Sequence, residues 1–154
     1  MTARVTNPFK LAPKGFQAMV ALEASFQDSG LEQSLKELVK LRASQINGCA
    51  VCIHMHATEA RKHGESEMRL YMLNAWRESS LYNDRERAAL TWTEALTRIA
   101  ETGAPDPDYA LVAAAFSEAE QVQLTLLIGA INMWNRMQVG FRAAHPVDEP
   151  RAVA

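Results

Sequence analysis

Apolar residues recur at three- and four-residue spacing along most of this chain, and period-two alternation is nearly absent. Phe16, Met19, Val20 and Phe26 make a first stripe, closed by Asp28-Ser29-Gly30. Leu31, Leu35, Leu38, Arg42 and Ile46 share a face of a second segment, which Asn47-Gly48 stops. A third helix is predicted from about Cys49 to His63, with Gly64 as its stop, and a shorter one over Ser66 to Trp76. Asp84 is expected to cap a segment carrying Ala88, Leu90, Trp92, Ala95, Leu96 and Ile99, ending at Gly103 and Pro105. Pro107 opens a short helix through Phe116. Ser117-Glu118-Ala119-Glu120 then reads as a capping box that launches a long apolar helix to about Arg142. Sparse Val and Ile beside plentiful Ala, Leu and Met favour helix throughout.

The connections are short, so the prediction is an all-α, single-domain bundle of six or seven helices over residues 1–145. Residues 146–154 read as a loose tail. The last helix is apolar on more than one face, through Leu124, Leu126, Leu127, Ile128, Ile131, Met133 and Trp134. Such a helix is central in a bundle or shared with another subunit, and in a chain this short we expect sharing and an oligomer.

Composition excludes several classes of function. With 154 residues and 48% hydrophobic content, the chain can bury a core without disulfides or metals. Sixteen Lys and Arg against eighteen Asp and Glu leave a net charge of −2 and no basic run, which argues against nucleic acid as a partner. The best apolar stretch, Leu126 to Ile131, is far below the ~18 residues of a membrane span. The segment Met1 to Pro13 lacks the apolar core of a signal peptide. A soluble, unexported, cytoplasmic protein is therefore expected, with no membrane partner.

Two cysteines remain, Cys49 and Cys52, three residues apart. A bridge that short closes almost no loop, so it would add little stability. In a reducing compartment such a pair is more often catalytic, redox-active or metal-binding. On a helix, Cys49, Cys52 and His56 fall on one face, which Ala60 continues. Asn47-Gly48 places the cysteines in the first turn, where free N–H groups and the helix dipole favour a thiolate. A neighbouring histidine can accept the thiol proton. Two thiols one turn apart can close a disulfide once one becomes a sulfenic acid. That pattern suits peroxide reduction or dithiol exchange.

Blander readings of the same residues exist. Two cysteines on an apolar face can be inert packing residues. Alternatively, C-x2-C-x3-H offers three zinc ligands, with Glu37 or a partner chain as the fourth. A structural zinc site usually takes its second ligand pair from a distant segment, and His54, His63 and His145 make no obvious pair. His54 is turned roughly 200° from Cys52 and is expected to be exposed or at an interface. The seven methionines read as core fillers. Glu37, at the edge of the second stripe, could be a solvated boundary residue paired with Lys40.

The full pattern, Glu37-x11-Cys49-x2-Cys52-x3-His56, resembles the signature of the alkylhydroperoxidase D (AhpD-like) family of the carboxymuconolactone decarboxylase superfamily. Lys36-Glu37-Leu38-Val39, Ser44-Gln45-Ile46-Asn47-Gly48-Cys49, His56-Ala57 and Gly64 carry the likeness, strongest from Leu31 to Tyr82. Ala130-Ile131-Asn132-Met133-Trp134-Asn135-Arg136 also looks like the last helix of small members. The resemblance implies an all-helical trimer or hexamer and a thiol-dependent alkyl hydroperoxidase in antioxidant defence. It implies Cys52 as the attacking thiol, Cys49 as the resolving one, and Glu37 and His56 as proton relays. No cofactor or bound metal is implied. The implied partners are a hydroperoxide substrate and a thiol electron donor, either thioredoxin-like or a lipoylated adaptor. Helix-dipole reasoning alone favours Cys49 as the more acidic thiol.

One position departs from the pattern. Better-studied AhpD proteins carry a second histidine just before the attacking cysteine, where this chain has Val51. A shorter relay would lower turnover and leave the dithiol chemistry intact. Superfamily decarboxylases lack the cysteine pair, so Cys49 and Cys52 argue against lyase activity. Trp134, Asn135 and Arg136 could line a pocket or interface, with core packing the plainer role for Trp134. Two other readings stay open: a non-enzymatic dithiol redox or stress-sensing module, and a zinc-stabilised helical domain.

Overall fold

A computed structural model describes residues 2–145. The expected tail, 146–154, lies outside the described residues. Nine α-helices and no strand occur among the described residues. They run α1 (Pro8–Leu11), α2 (Pro13–Ser25), α3 (Gln33–Asn47), α4 (Ala50–Lys62), α5 (Glu67–Met72), α6 (Asp84–Thr97), α7 (Ile99–Thr102), α8 (Asp106–Ala115) and α9 (Glu118–Phe141). Single 3-10 turns at Phe26–Asp28 and Leu73–Ala75 extend α2 and α5.

The count exceeds the expected six or seven for a local reason. Two additions, α1 and α7, are single turns of four residues. Asn7 caps α1 by accepting the Lys10 N–H, and Pro8 starts it. Arg98, at φ −107° and ψ 35°, breaks α6 from α7, so the segment expected to run to Gly103 is two helices. The cap of α6 is Asn83, one residue before the expected Asp84. Its side chain accepts the Glu86 N–H while the Glu86 carboxylate accepts the Asn83 N–H. Ser117 and Glu120 form the expected capping box on α9. Gly48 and Gly64 take the left-handed backbone that ends α3 and α4.

The central helix is α3, whose residues 35–44 are buried except at Lys40. Of the two places the sequence allowed α9, central or shared with another subunit, the central one is taken by α3. Three charged residues go inside with α3, each with a partner, as burial of charge demands. Lys36 donates to the Phe26 carbonyl at 2.8 Å, Arg42 pairs with Glu94 at 2.7 Å, and Glu37 meets His56 at 2.8 Å. Lys40, the expected partner of Glu37, pairs with Glu23.

Three apolar clusters surround α3. Leu35, Val39, Trp92, Val112, Leu124, Leu127 and Ile128 join it to α6, α8 and α9. Leu38, Leu41, Ala60, Leu73, Trp76 and Leu90 join it to α4, α5 and α6. Ala43, Cys49, Cys52 and Ile131 form the third, with Val51 and Trp134 packed against it. In the first stripe, Phe16, Met19 and Phe26 are buried as expected, but Val20 faces solvent. On α9, Val122, Leu126 and Met133 also remain exposed.

Candidate active site

The third cluster sits where α3, α4 and α9 meet, and both thiols lie in it. Cys49 is the N-cap of α4, with an extended backbone, and its Sγ accepts the Cys52 N–H at 3.3 Å. A sulfur thus takes the place of the usual oxygen cap and satisfies one of the helix's orphan donors. Gly48, at φ 65°, makes the sharp turn between α3 and α4 that puts Cys49 there. Both cysteines are free and buried.

Their electrostatics divide the pair. The Cys49 thiol is lowered to about 7, chiefly because the Cys52 thiol donates to it, against the upward push of burial. The Cys52 and Val51 N–H groups and the Asn135 amide add to the lowering. Cys52 is pushed well above the ordinary thiol range, first by donating to Cys49, then by burial and by the Cys49 charge. The electrostatics thus favour the thiolate form at Cys49 over one at Cys52.

His56 follows Cys52 by one turn, on the same face, and is buried. Its Nδ1 lies 2.8 Å from Oε2 of Glu37, and Gln33 donates to the other carboxylate oxygen at 2.9 Å. The structure thus joins the four residues singled out in the sequence as two pairs on the packed α3 and α4, Cys49 with Cys52 and Glu37 with His56. Glu37 is 5% exposed, so the solvated-boundary reading does not hold. Among the described residues, no three His, Cys, Asp or Glu side chains converge as metal donors. His54 is half-buried, its ring 5.8 Å from that of His145. Trp134 packs on Phe16 at 6.1 Å and Phe9 at 6.4 Å, the plainer of its two expected roles.

Sequence reasoning missed the polar frame beneath the thiols. Asn135, 1% exposed, has its amide in hydrogen-bonding reach of both sulfurs. Its Nδ2 also donates to Ser44 Oγ at 3.0 Å, and its Oδ1 accepts from Asn47 Nδ2 at 2.9 Å. Asn47 gives its other N–H to Asn132, which in turn donates to Thr97. Ser44 also reaches Cys52. From the sequence, Asn135 reads only as a pocket or interface residue. Its tie to Ser44 spans 91 positions, and no spacing rule reports that.

A cavity of about 400 Å³ borders the cluster and touches Cys49 and Val51, but not Cys52. Val51 therefore stands in the wall where a second relay histidine would be expected.

Comparison with known proteins agrees with this architecture. The uncharacterized protein YdfG of Bacillus subtilis strain 168 is 42% identical over 94% of this chain and 99% of its own length. A crystal structure from Agrobacterium tumefaciens, of a protein of unknown function with a suggested AhpD antioxidant-defence role, superposes with a TM-score of 0.91. It is 50% identical and covers 96% of this chain and 100% of its own. An uncharacterized peroxidase-related protein from Silicibacter sp. TM1040 shares the fold at a TM-score of 0.74 and 23% identity, over 85% of this chain and 70% of its own. The sequence model of the carboxymuconolactone decarboxylase family matches residues 13–95, which include Glu37, Cys49, Cys52 and His56, and the chain belongs to that family, with an AhpD-like fold.

Proposed function

We propose that the chain is a thiol-dependent hydroperoxidase that cycles Cys49 and Cys52 between dithiol and disulfide. The observation that carries this reading is two free, buried sulfurs one helical turn apart, with Cys49 at the start of α4, where the Cys52 N–H donates to its sulfur and its thiol is lowered. In the first step a thiolate attacks the terminal oxygen of a hydroperoxide. The O–O bond breaks, an alcohol leaves with a proton, and the sulfur becomes a sulfenic acid. The second thiol then displaces water and forms the Cys49–Cys52 disulfide. Two reducing equivalents from an external thiol, thioredoxin-like or lipoylated, restore the dithiol.

Two assignments of the attacking sulfur follow from different observations. The family order makes Cys52 the nucleophile, with His56 taking its proton and Glu37 holding the imidazole. The lowered Cys49 thiol and its place in the cavity wall favour the reverse order. Intact mass after one equivalent of cumene hydroperoxide separates them. Wild type should lose two hydrogens. The sulfur that gains one oxygen when the other cysteine is Ser is the attacking one. No mass change in any of the three proteins would sink the peroxidase reading. The exposed Val122, Leu126 and Met133 on α9 support a homo-oligomer built on that helix, and the chemistry fits a reducing, cytoplasmic setting.

A further inference from the structure

The cavity beside Cys49 has a wall of one sign. Arg4 and Arg142 line it together with Gly48, Cys49, Val51 and Gln138, and no acidic side chain among the described residues borders it. Arg4 is carried there by the N-terminal segment, which is pinned to the end of α9. Its N–H donates to the Phe141 carbonyl at 2.9 Å and its Nη1 to the Gly140 carbonyl at 3.0 Å. These are terminal carbonyls that the helix itself leaves without partners. Arg142 ends α9 in the left-handed region, at φ 53°, a place that suits glycine better. Its guanidinium has no hydrogen-bond or ion-pair partner among the described residues. The first turn of α4 adds the N–H of Ala50 and the positive end of its dipole. Val51, Val139 and Ala143 make the rest of the wall apolar.

Two guanidiniums, a helix start and an apolar wall thus line one cavity that borders Cys49. We propose that this cavity binds an aliphatic carboxylate and presents the reactive end of that molecule to Cys49. The inference deepens the dithiol reading and rests on it for the chemistry that follows binding. Two reactants have the required form. A carboxylate-bearing hydroperoxide would lose its terminal oxygen to the Cys49 thiolate and leave as the hydroxy acid. A carboxylate-bearing thiol would instead attack Cys49 in the disulfide and release Cys52. A second such thiol would then displace Cys49 and leave the donor as its own disulfide.

The test is an NMR titration of the reduced protein with octanoate and with octanamide, its neutral counterpart. Octanoate should bind more tightly and shift the amides of Gly48, Ala50 and Val51. Arg142→Gly removes the guanidinium while easing the backbone, so the fold is kept and the melting temperature is not lowered. In that variant, and in Arg4→Gln, octanoate should weaken about tenfold, with octanamide unchanged. Equal binding of the two probes in wild type, or unchanged octanoate affinity in both variants, would overturn the proposal. Two kinetic pairs then identify the reactant. One is disulfide formation by a terminal hydroperoxide of octanoate against its methyl ester. The other is disulfide reduction by mercaptopropionate against mercaptopropanol. A charge preference in the first pair assigns the cavity to the peroxide, and in the second to the reductant. No preference in either overturns its role as a reactant site. Octanoate binding without any peroxide consumption would instead sink the peroxidase reading and leave the anion site standing.

Discussion

His56 Nδ1 and Glu37 Oε2 lie 2.8 Å apart with both side chains buried, although 19 positions separate them. The contact fixes the ring through Nδ1. If Glu37 tunes His56 as a proton acceptor, Glu37→Gln should slow disulfide formation by about 10²-fold while the fold survives. Stopped-flow oxidation with cumene hydroperoxide across the neutral pH range measures this. An unchanged rate would reduce the pair to a structural contact.

Asn135 holds both sulfurs, Ser44 and Asn47, so its truncation leaves several buried polar groups without partners. Asn135→Ala should destabilise the fold by about 1–3 kcal/mol, read by urea unfolding. It should also move the Cys49 titration upward from about 7, since one donor to the thiolate is lost. Thiolate ultraviolet absorbance against pH reports that shift. Loss of stability with no shift would confine Asn135 to a packing role.

Glu94 accepts from Arg42, Trp76 and Arg77 at 2.8–3.0 Å. Burial pushes its carboxyl up, and these donors outweigh burial and hold it below the ordinary range. Glu94→Ala would strand the buried Arg42 guanidinium. A loss of about 3 kcal/mol is expected, larger than for Arg77→Ala, whose side chain is 55% exposed. Paired unfolding curves give the order, and equal losses would contradict it.

Acid should loosen the start of α9. The Ser117 N–H first, then the Arg85 guanidinium and Ser117 hydroxyl, hold the Glu120 carboxyl at about 2, down from 4.5. A carboxyl lowered by folding stabilises the native state above its unfolded value, and that share is lost as pH falls through the folded value. Glu120→Gln should therefore be less stable than wild type at neutral pH, and the gap should close between pH 4.5 and about 2. A gap that stays constant with pH would assign the effect to helix propensity.

What was legible in the sequence was what neighbours along the chain decide. Caps, stops and periodicity placed the helices, because a helix is built from bonds between residues four apart. The face shared by Cys49, Cys52 and His56 follows from the same geometry. The one-residue shift of a cap to Asn83 and the break at Arg98 are local errors of the same kind. Burial was less legible. Lys36, Glu37 and Arg42 make α3 look half-polar, yet each is inside with a partner from another segment. Only packing of α3 against α4 and α9 brings Glu37 to His56 and Asn135 to the thiols. Only docking of the N-terminal segment on the end of α9 sets Arg4 beside Arg142 and Cys49. The helices were local decisions. The acidity of Cys49 and the charge facing it were not, because hydrogen bonds and fields act through space between residues the chain keeps far apart.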